Sequence, residues 1–467
     1  MRSMACNRFS RNSEDVLKGR RLVEGARRGD LAEIQALLLG EGISVNADEY
    51  NKSLFYASKN YVTPLQVAAA HGHDACVKCF IDNGADLNAR DRFDVTAIHM
   101  ASENGHYACL KLLLDSGSDC NVSTKYSKLG CYTATPHPGG TTPLHLAAAN
   151  NRVRCVKELI QNGADYNAVD EQGRTSLFIA AEAGLEDCVL AHLRNAIGRD
   201  ILSLPVSKSG ETPLHCSVRH CLKNCVKELL EHGSDANHRN DLGYSPLHYA
   251  MFYELGNEKP IHKSQILKFE IMKELVLGGY NTDVNLPDKT GMTPLHFVSF
   301  SDGAKMERRP EAAAFLIAYG ANTDIQNKRG NSLIQAELKN GTDLTILRAI
   351  IKSLPFVPSL VSLKLAPPSP PTISAHLRYD TPPEVDFLLN SPAGDVATPR
   401  GNTALYSRGW AKYQWYKQLA SSPRSLQHCC RYAVREALGY RCLRHVKDLP
   451  IPTSLKEYLL LEYDEFK

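Results

Sequence analysis

Fourteen cysteines and seventeen histidines are the side chains of this 467-residue chain best suited to ligate a metal or to carry a nucleophile. A structural zinc site gathers four thiolate or imidazole ligands. Cys76 and Cys79 form a CxxC with no second CxxC to complete it, and Cys430, Cys442 and His445 form a looser set near the other end. Neither set reads as zinc, because Cys76 belongs to a phased series and Cys430 lies on an apolar helix stripe. His99, His145, His215, His248 and His296 all stand three residues after a Thr or Ser. A catalytic histidine need occur only once, so histidines that recur with a period are structural, bonding between neighbouring turns. No phosphate-cradling Gly loop and no nucleophile motif appears. The reading is a non-enzyme, with no catalytic residue, metal or cofactor.

Composition sets the class of molecule. Apolar residues make up 43% and charged residues 22%, as in a soluble folded chain. A net charge of +3 gives no reason to expect a nucleic acid partner. No apolar run is long enough to span a bilayer, and the opening segment lacks the apolar centre of a signal peptide. The expectation is a cytoplasmic protein, with the nucleus also open. Cys76, Cys109, Cys155, Cys188 and Cys225 each fall 13 residues after a Thr. Helices stacked about 8–10 Å apart would hold such equivalent cysteines beyond the ~7 Å Cα limit for a disulfide. They read as reduced core thiols.

The elements that place these residues are repeated. TPLQVAAAHGH starts at Thr63, TAIHMASENGH at Thr96, TPLHLAAANNR at Thr142, TSLFIAAEAGL at Thr175 and TPLHCSVRHCL at Thr212. SPLHYA at Ser245, TPLHFVS at Thr293 and a weakened copy around Ser332 follow. Thr63 to Thr96, Thr142 to Thr175 and Thr212 to Ser245 are each 33 residues apart. Thr or Ser caps a helix and Pro suits its first position. Gly72, Gly105 and Gly184, with Asn151 in the equivalent place, suit a left-handed helix end. A second helix follows and stops at Gly84, Gly117, Gly163 or Gly233, and Asn or Asp four residues later favours a turn.

This pattern resembles the ankyrin repeat in period and in its TPLHxA signature. The expected fold is all-α: an ankyrin-repeat solenoid of helix-turn-helix units with short β-hairpin loops, over residues 20–354 in about nine repeats. Residues 1–19 read as an N-terminal tail. Two insertions break the period: 13 extra residues between Thr96 and Thr142, and 15 between Ser245 and Thr293. A smaller excess precedes Thr63. Insertions in repeat proteins map to loops, often on the binding face, so Tyr126, Tyr132, Phe252 and Tyr253 are the candidate substrate-binding residues. The segment Met251 to Phe269 carries a possible short helix of its own.

From Pro355 to Pro399 the chain holds ten of its 24 prolines, and residues 355–400 read as a semi-stiff linker. Pro367 and Pro370 have the PxxP spacing of an SH3 ligand, although a spacer explains the composition without a partner. Residues 401–421 form an aromatic helical segment with Trp410 and Trp415. In residues 422–467, Leu426, Cys430 and Val434 line one helix face, with Ser425 as its cap and Gly439 as its stop. Leu449-Pro450-Ile451-Pro452 is then an extended strip before a second amphipathic stretch.

In this order, after an ankyrin array, the segment resembles a SOCS box, here a small helical domain. The resemblance implies that Leu426, Cys430, Val434 and Arg435 bind Elongin C. It implies that Leu449, Pro450, Ile451 and Pro452 favour Cullin-5, joined by its RING subunit. Together the two parts resemble the ankyrin repeat and SOCS box family. That implies a substrate-recognition subunit of an Elongin B/C–Cullin-5–RING ubiquitin ligase, which holds a protein substrate on its array and targets it for proteasomal degradation. The rival reading is a scaffold or inhibitor whose last helices only cap the array.

Overall fold

The computed structural model describes residues 18–40, 42–46, 62–91, 93–125, 138–195, 209–251, 261–279, 281–300 and 309–335, with 347 and 350. The expected linker, aromatic segment and SOCS box lie outside the described residues. The chain divides into two compact units, Met1–Asp235 and Ala236–Lys467.

In the first unit, helix α1 (residues 18–28) is followed by α2 (Leu31–Gln35), which runs into a π-helical turn, Ala36–Gly40. Four helix pairs follow: α3 (Pro64–His71) with α4 (Asp74–Asp82), α5 (Ala97–Asn104) with α6 (Tyr107–Asp115), α7 (Pro143–Ala149) with α8 (Val153–Gln161), and α9 (Ser176–Glu182) with α10 (Glu186–Asn195). A fifth pair, α11 (Pro213–Arg219) and α12 (Lys223–Glu231), completes the unit. The first helices of successive pairs stack on one another from α3 to α11, and the second helices stack from α4 to α12. In the second unit, α13 (Pro246–Met251) pairs with α14 (Ile261–Gly278) and α15 (Pro294–Phe300) with α16 (Arg309–Ala318). There α13 also packs on α15.

The phased residues act as their spacing predicts. Thr63 accepts a bond from Gln66 N–H, and Gln66 accepts one from Thr63 N–H at 2.7 Å, a reciprocal capping box. His replaces Gln in most copies. His145 Nδ1 accepts from Thr142 N–H at 3.2 Å and from the Thr142 hydroxyl at 2.8 Å. That fixes the proton on Nε2, which donates to Arg174 O in the next hairpin at 3.0 Å. His248 repeats the arrangement with Ser245 and donates to Met292 O at 3.2 Å. Burial pushes the His145 imidazole down from its ordinary pKa and the His248 imidazole down to about 4, so both stay neutral. His145 and His248 therefore bond between neighbouring turns, as their recurrence suggests.

Gly72 and Gly105 end their helices at φ 78° and 80°, and Asn151 does so at 57°. Each of the two glycines is also crossed by the next repeat: His106 Nε2 donates to Ala70 O at 3.0 Å, and Arg152 Nε donates to Glu103 O at 3.1 Å. A Cβ on Gly72 would lie 2.5 Å from the His106 ring. Cys221 takes the same left-handed place in its own repeat at φ 58°, which its residue type does not advertise.

The hairpin loops reverse through bonds such as Asp91 N–H to Val95 O and Asp170 N–H to Arg174 O, both 3.0 Å. Among the described residues they form one isolated antiparallel bridge, Gln326 with Ser332. The recurring asparagines do more than favour a turn. Asn121 Oδ1 accepts from Asp165 N–H at 2.7 Å and its Nδ2 donates to Gly163 O at 3.2 Å, so it ties one repeat to the next. Asn237 and Asn285 make the equivalent bonds within the second unit. The tight turn itself is closed by the preceding acid, as where Asp165 accepts from Asn167 N–H.

Cys76, Cys109, Cys155, Cys188 and Cys225 are buried, unbridged thiols on the second helices. Burial pushes Cys109, Cys188 and Cys225 up to about 12 and Cys155 to about 11. A thiol in that state is a small apolar core group and the reverse of an activated nucleophile.

Candidate protein-interaction surface

The residues proposed to bind Elongin C (Leu426, Cys430, Val434, Arg435), those proposed for the cullin (Leu449 to Pro452), and Tyr126, Tyr132, Phe252 and Tyr253 all lie outside the described residues. The frames that carry the two insertions are described, and they differ. The first insertion leaves and re-enters through a bonded stem. Thr124 N–H donates to Thr141 O at 3.0 Å, and Gly140 N–H returns to Thr124 O at 2.7 Å. Lys125 N–H reaches Phe93 O at 2.8 Å while its ammonium pairs with Asp94 at 3.0 Å. The stem thus belongs to the row of loop tips.

The second insertion enters between the two helices of a repeat. Its latter part is not a separate short helix, as the sequence suggested, but the opening of α14. That helix has 18 residues, where α4, α6, α8 and α12 have 9 each. A helix in progress adds one hydrogen bond per residue fixed, so extension is easier than nucleating a second helix nearby. Met251, Lys268 and Phe269, at the ends of the segment read as inserted, are buried. The Phe269 ring meets Phe315 at 6.2 Å, and Lys273 Nζ sits 4.4 Å from its centroid.

A further surface was not singled out from the sequence. In the second unit Tyr244, at the foot of a hairpin, lies edge-on to Phe297 of α15 at 5.5 Å and to Tyr249 of α13 at 6.3 Å. The Tyr249 hydroxyl accepts from Asn240 Nδ2 at 3.2 Å, which ties the patch to the hairpin tip. All three rings are half-buried, and Leu242 on the tip is 58% exposed. The signal was available. Four residues after the repeat start stand Val67, Met100, Leu146, Ile179 and Cys216, and then Tyr249 and Phe297.

A cleft of about 310 Å³ between residues 31–39 and α4 contains Cys79, whose thiol burial pushes up. Among the described residues no group of three His, Cys, Asp or Glu is placed to hold a metal. No described helix is long and apolar enough to cross a membrane.

Comparison with known proteins agrees with the architecture. Models of ankyrin repeats match residues 22–124, 128–201 and 197–261, and a single ankyrin repeat matches 290–328. A SOCS box model matches residues 422–460. The chain is 26% identical over 342 residues to ankyrin repeat and SOCS box protein 16 of Homo sapiens, covering 62% of this chain and 74% of that one. The Mus musculus protein of the same name is 27% identical, with 54% and 53% covered. Neurogenic locus notch homolog protein 1 of Homo sapiens is 28% identical over 26% of this chain and 5% of its own length. A SOCS box supports Elongin B/C and cullin binding in general, and so a substrate-receptor role in a cullin-RING ubiquitin ligase. With the array and the SOCS box matched in that order, the chain belongs to the ankyrin repeat and SOCS box protein family.

Proposed function

We propose that the chain is the substrate receptor of an Elongin B/C–Cullin-5–RING ligase and delivers bound proteins for ubiquitination and degradation. The match of residues 422–460 to a SOCS box carries this reading. Within it, Leu426, Cys430, Val434 and Arg435 form the Elongin C contact, and Leu449 to Pro452 form the cullin strip. Residues 20–354 hold the substrate and 355–400 space the two ends. Transfer is accelerated by tethering, which raises the local concentration of substrate lysines beside the charged conjugating enzyme. The chain adds no chemical group of its own.

The test is co-expression of the full chain with Elongin B, Elongin C and Cullin-5. Burial of a leucine such as Leu426 contributes roughly 2 kcal/mol, and loss of a central anchor often costs about 2–4 kcal/mol. Leu426→Ala with Cys430→Ala is expected to lose all three partners while the array melts as before. Alanines at 449–452 are expected to lose Cullin-5 and keep Elongin B/C. Normal Elongin recovery by the double variant would overturn the reading of the tail.

A further inference from the structure

The aromatic patch of the second unit sits beside a row of cations. Three loop tips follow one another there: Arg239 to Gly243, Pro287 to Gly291 and Gln326 to Gly330. They are joined by backbone bonds, Lys289 N–H to Leu242 O at 3.1 Å and Lys328 N–H to Thr290 O at 2.9 Å. Gly243 and Gly291 allow this approach: a Cβ on either would come within 2.6 or 2.9 Å of the next tip's backbone nitrogen. The strip is therefore fixed in backbone, and its side chains are what varies.

Arg239, Lys289, Lys328 and Arg329 are exposed on it. Asp241 is the exposed acid among these tips. Asp288 is buried, its carboxylate accepting from Thr290 N–H, Met292 N–H and the Thr290 hydroxyl. Four outward cations against one outward anion concentrate on this strip as much positive charge as the whole chain carries net, +3. Leu242 and the half-buried rings of Tyr244, Tyr249 and Phe297 adjoin it. Aromatic residues and Arg are the types enriched where proteins bind one another.

Resting on the receptor reading above, we propose that this strip binds an extended acidic peptide segment of the substrate, with an apolar side chain seated on Tyr244, Tyr249 and Phe297. Its carboxylates pair with Lys289 and Lys328, which hold the same place on neighbouring tips. Neighbouring repeats are about 10 Å apart and an extended chain rises about 3.3 Å per residue. Acidic residues spaced three apart, with an aliphatic or aromatic residue among them, match that interval. Tyr244 already meets Tyr249 and Phe297 edge-on, which suits an apolar side chain laid across them better than a stacked base.

The test pans a phage-displayed random dodecapeptide library against the full chain, bound to Elongin B/C where that complex forms. The selected consensus peptide is then measured by fluorescence anisotropy. Enrichment of Asp and Glu at three-residue intervals around an apolar residue is the expected result. Lys289→Glu with Lys328→Glu and Arg329→Glu should weaken the consensus peptide at least tenfold, as should Tyr249→Ala. The charge reversals lie on exposed tips and leave the fold intact if Tyr249→Ala does not. Binding should fall with salt and should not change in Leu426→Ala, which separates this site from the tail. Neutral or basic consensus sequences, binding indifferent to the triple reversal, or displacement of the peptide by polyuridylate would overturn the proposal.

Discussion

The two insertions add nearly equal lengths of chain, yet they meet the repeat at different joints and have different structural consequences. The first enters a loop tip, between Lys125 and Pro138, and its ends are closed by main-chain bonds to neighbouring tips. The second enters between the two helices of its repeat, and its latter part is drawn into α14. What a surplus segment becomes is thus set by its point of entry. A tip already pairs backbone with its neighbours, so a stem there can close on itself. An inter-helix joint abuts a helix start, where the added residues propagate the existing helix. Packing follows the same division: the stem of the tip insertion is tied to neighbouring tips, whereas the helical one shares its last residues with the core.

The largest break of this comparison is Phe269→Ala. Phe269 is 8% exposed against Phe315, and loss of a buried Phe costs about 3–5 kcal/mol. A urea melt should show that loss, with the rim position placing it at the lower end. A loss below about 1 kcal/mol would mean the α14 opening is as detachable as a loop. Next in size is Gly140→Ala in the stem of the first insertion. Gly140 has φ 75°, and a Cβ would sit 3.2 Å from Asp170 Cα and 3.3 Å from Glu171 N, backbone that cannot swing away. The expected cost is about 1–3 kcal/mol, and an unchanged melt would show that the stem does not hold its register. The smallest effect belongs to replacing residues 126–137 by Asn-Gly. The stem bonds remain and closure entropy changes slowly with loop length, so stability should move by less than about 1 kcal/mol. Substrate capture, scored by proximity labelling, should fall. A collapse in stability would make that insertion structural.

Much of this was legible in the sequence because the array writes its rules once per repeat. Thr142, Pro143 and His145 announce a cap, a first helical turn and a bridge, and the structure uses each so. What escaped reading is most of what one repeat does to the next. The Asn at 121 reads as a turn former, but its amide reaches across to Asp165 and Gly163. Cys221 gives no hint of a left-handed backbone, which is imposed by its place between α11 and α12. The meeting of Tyr249 and Phe297 with Tyr244 spans two repeats, so no single repeat shows it. Periodicity in one chain reveals positions within a unit; contacts between units need the stack.

The central claim is that this ankyrin protein is joined to a ligase through its SOCS box. Native mass spectrometry of the full chain purified after co-expression with Elongin B and Elongin C tests it most directly. One species containing one copy of each protein is expected, lost on Leu426→Ala with Cys430→Ala. Recovery of the wild-type chain alone, folded and without Elongin, would contradict it.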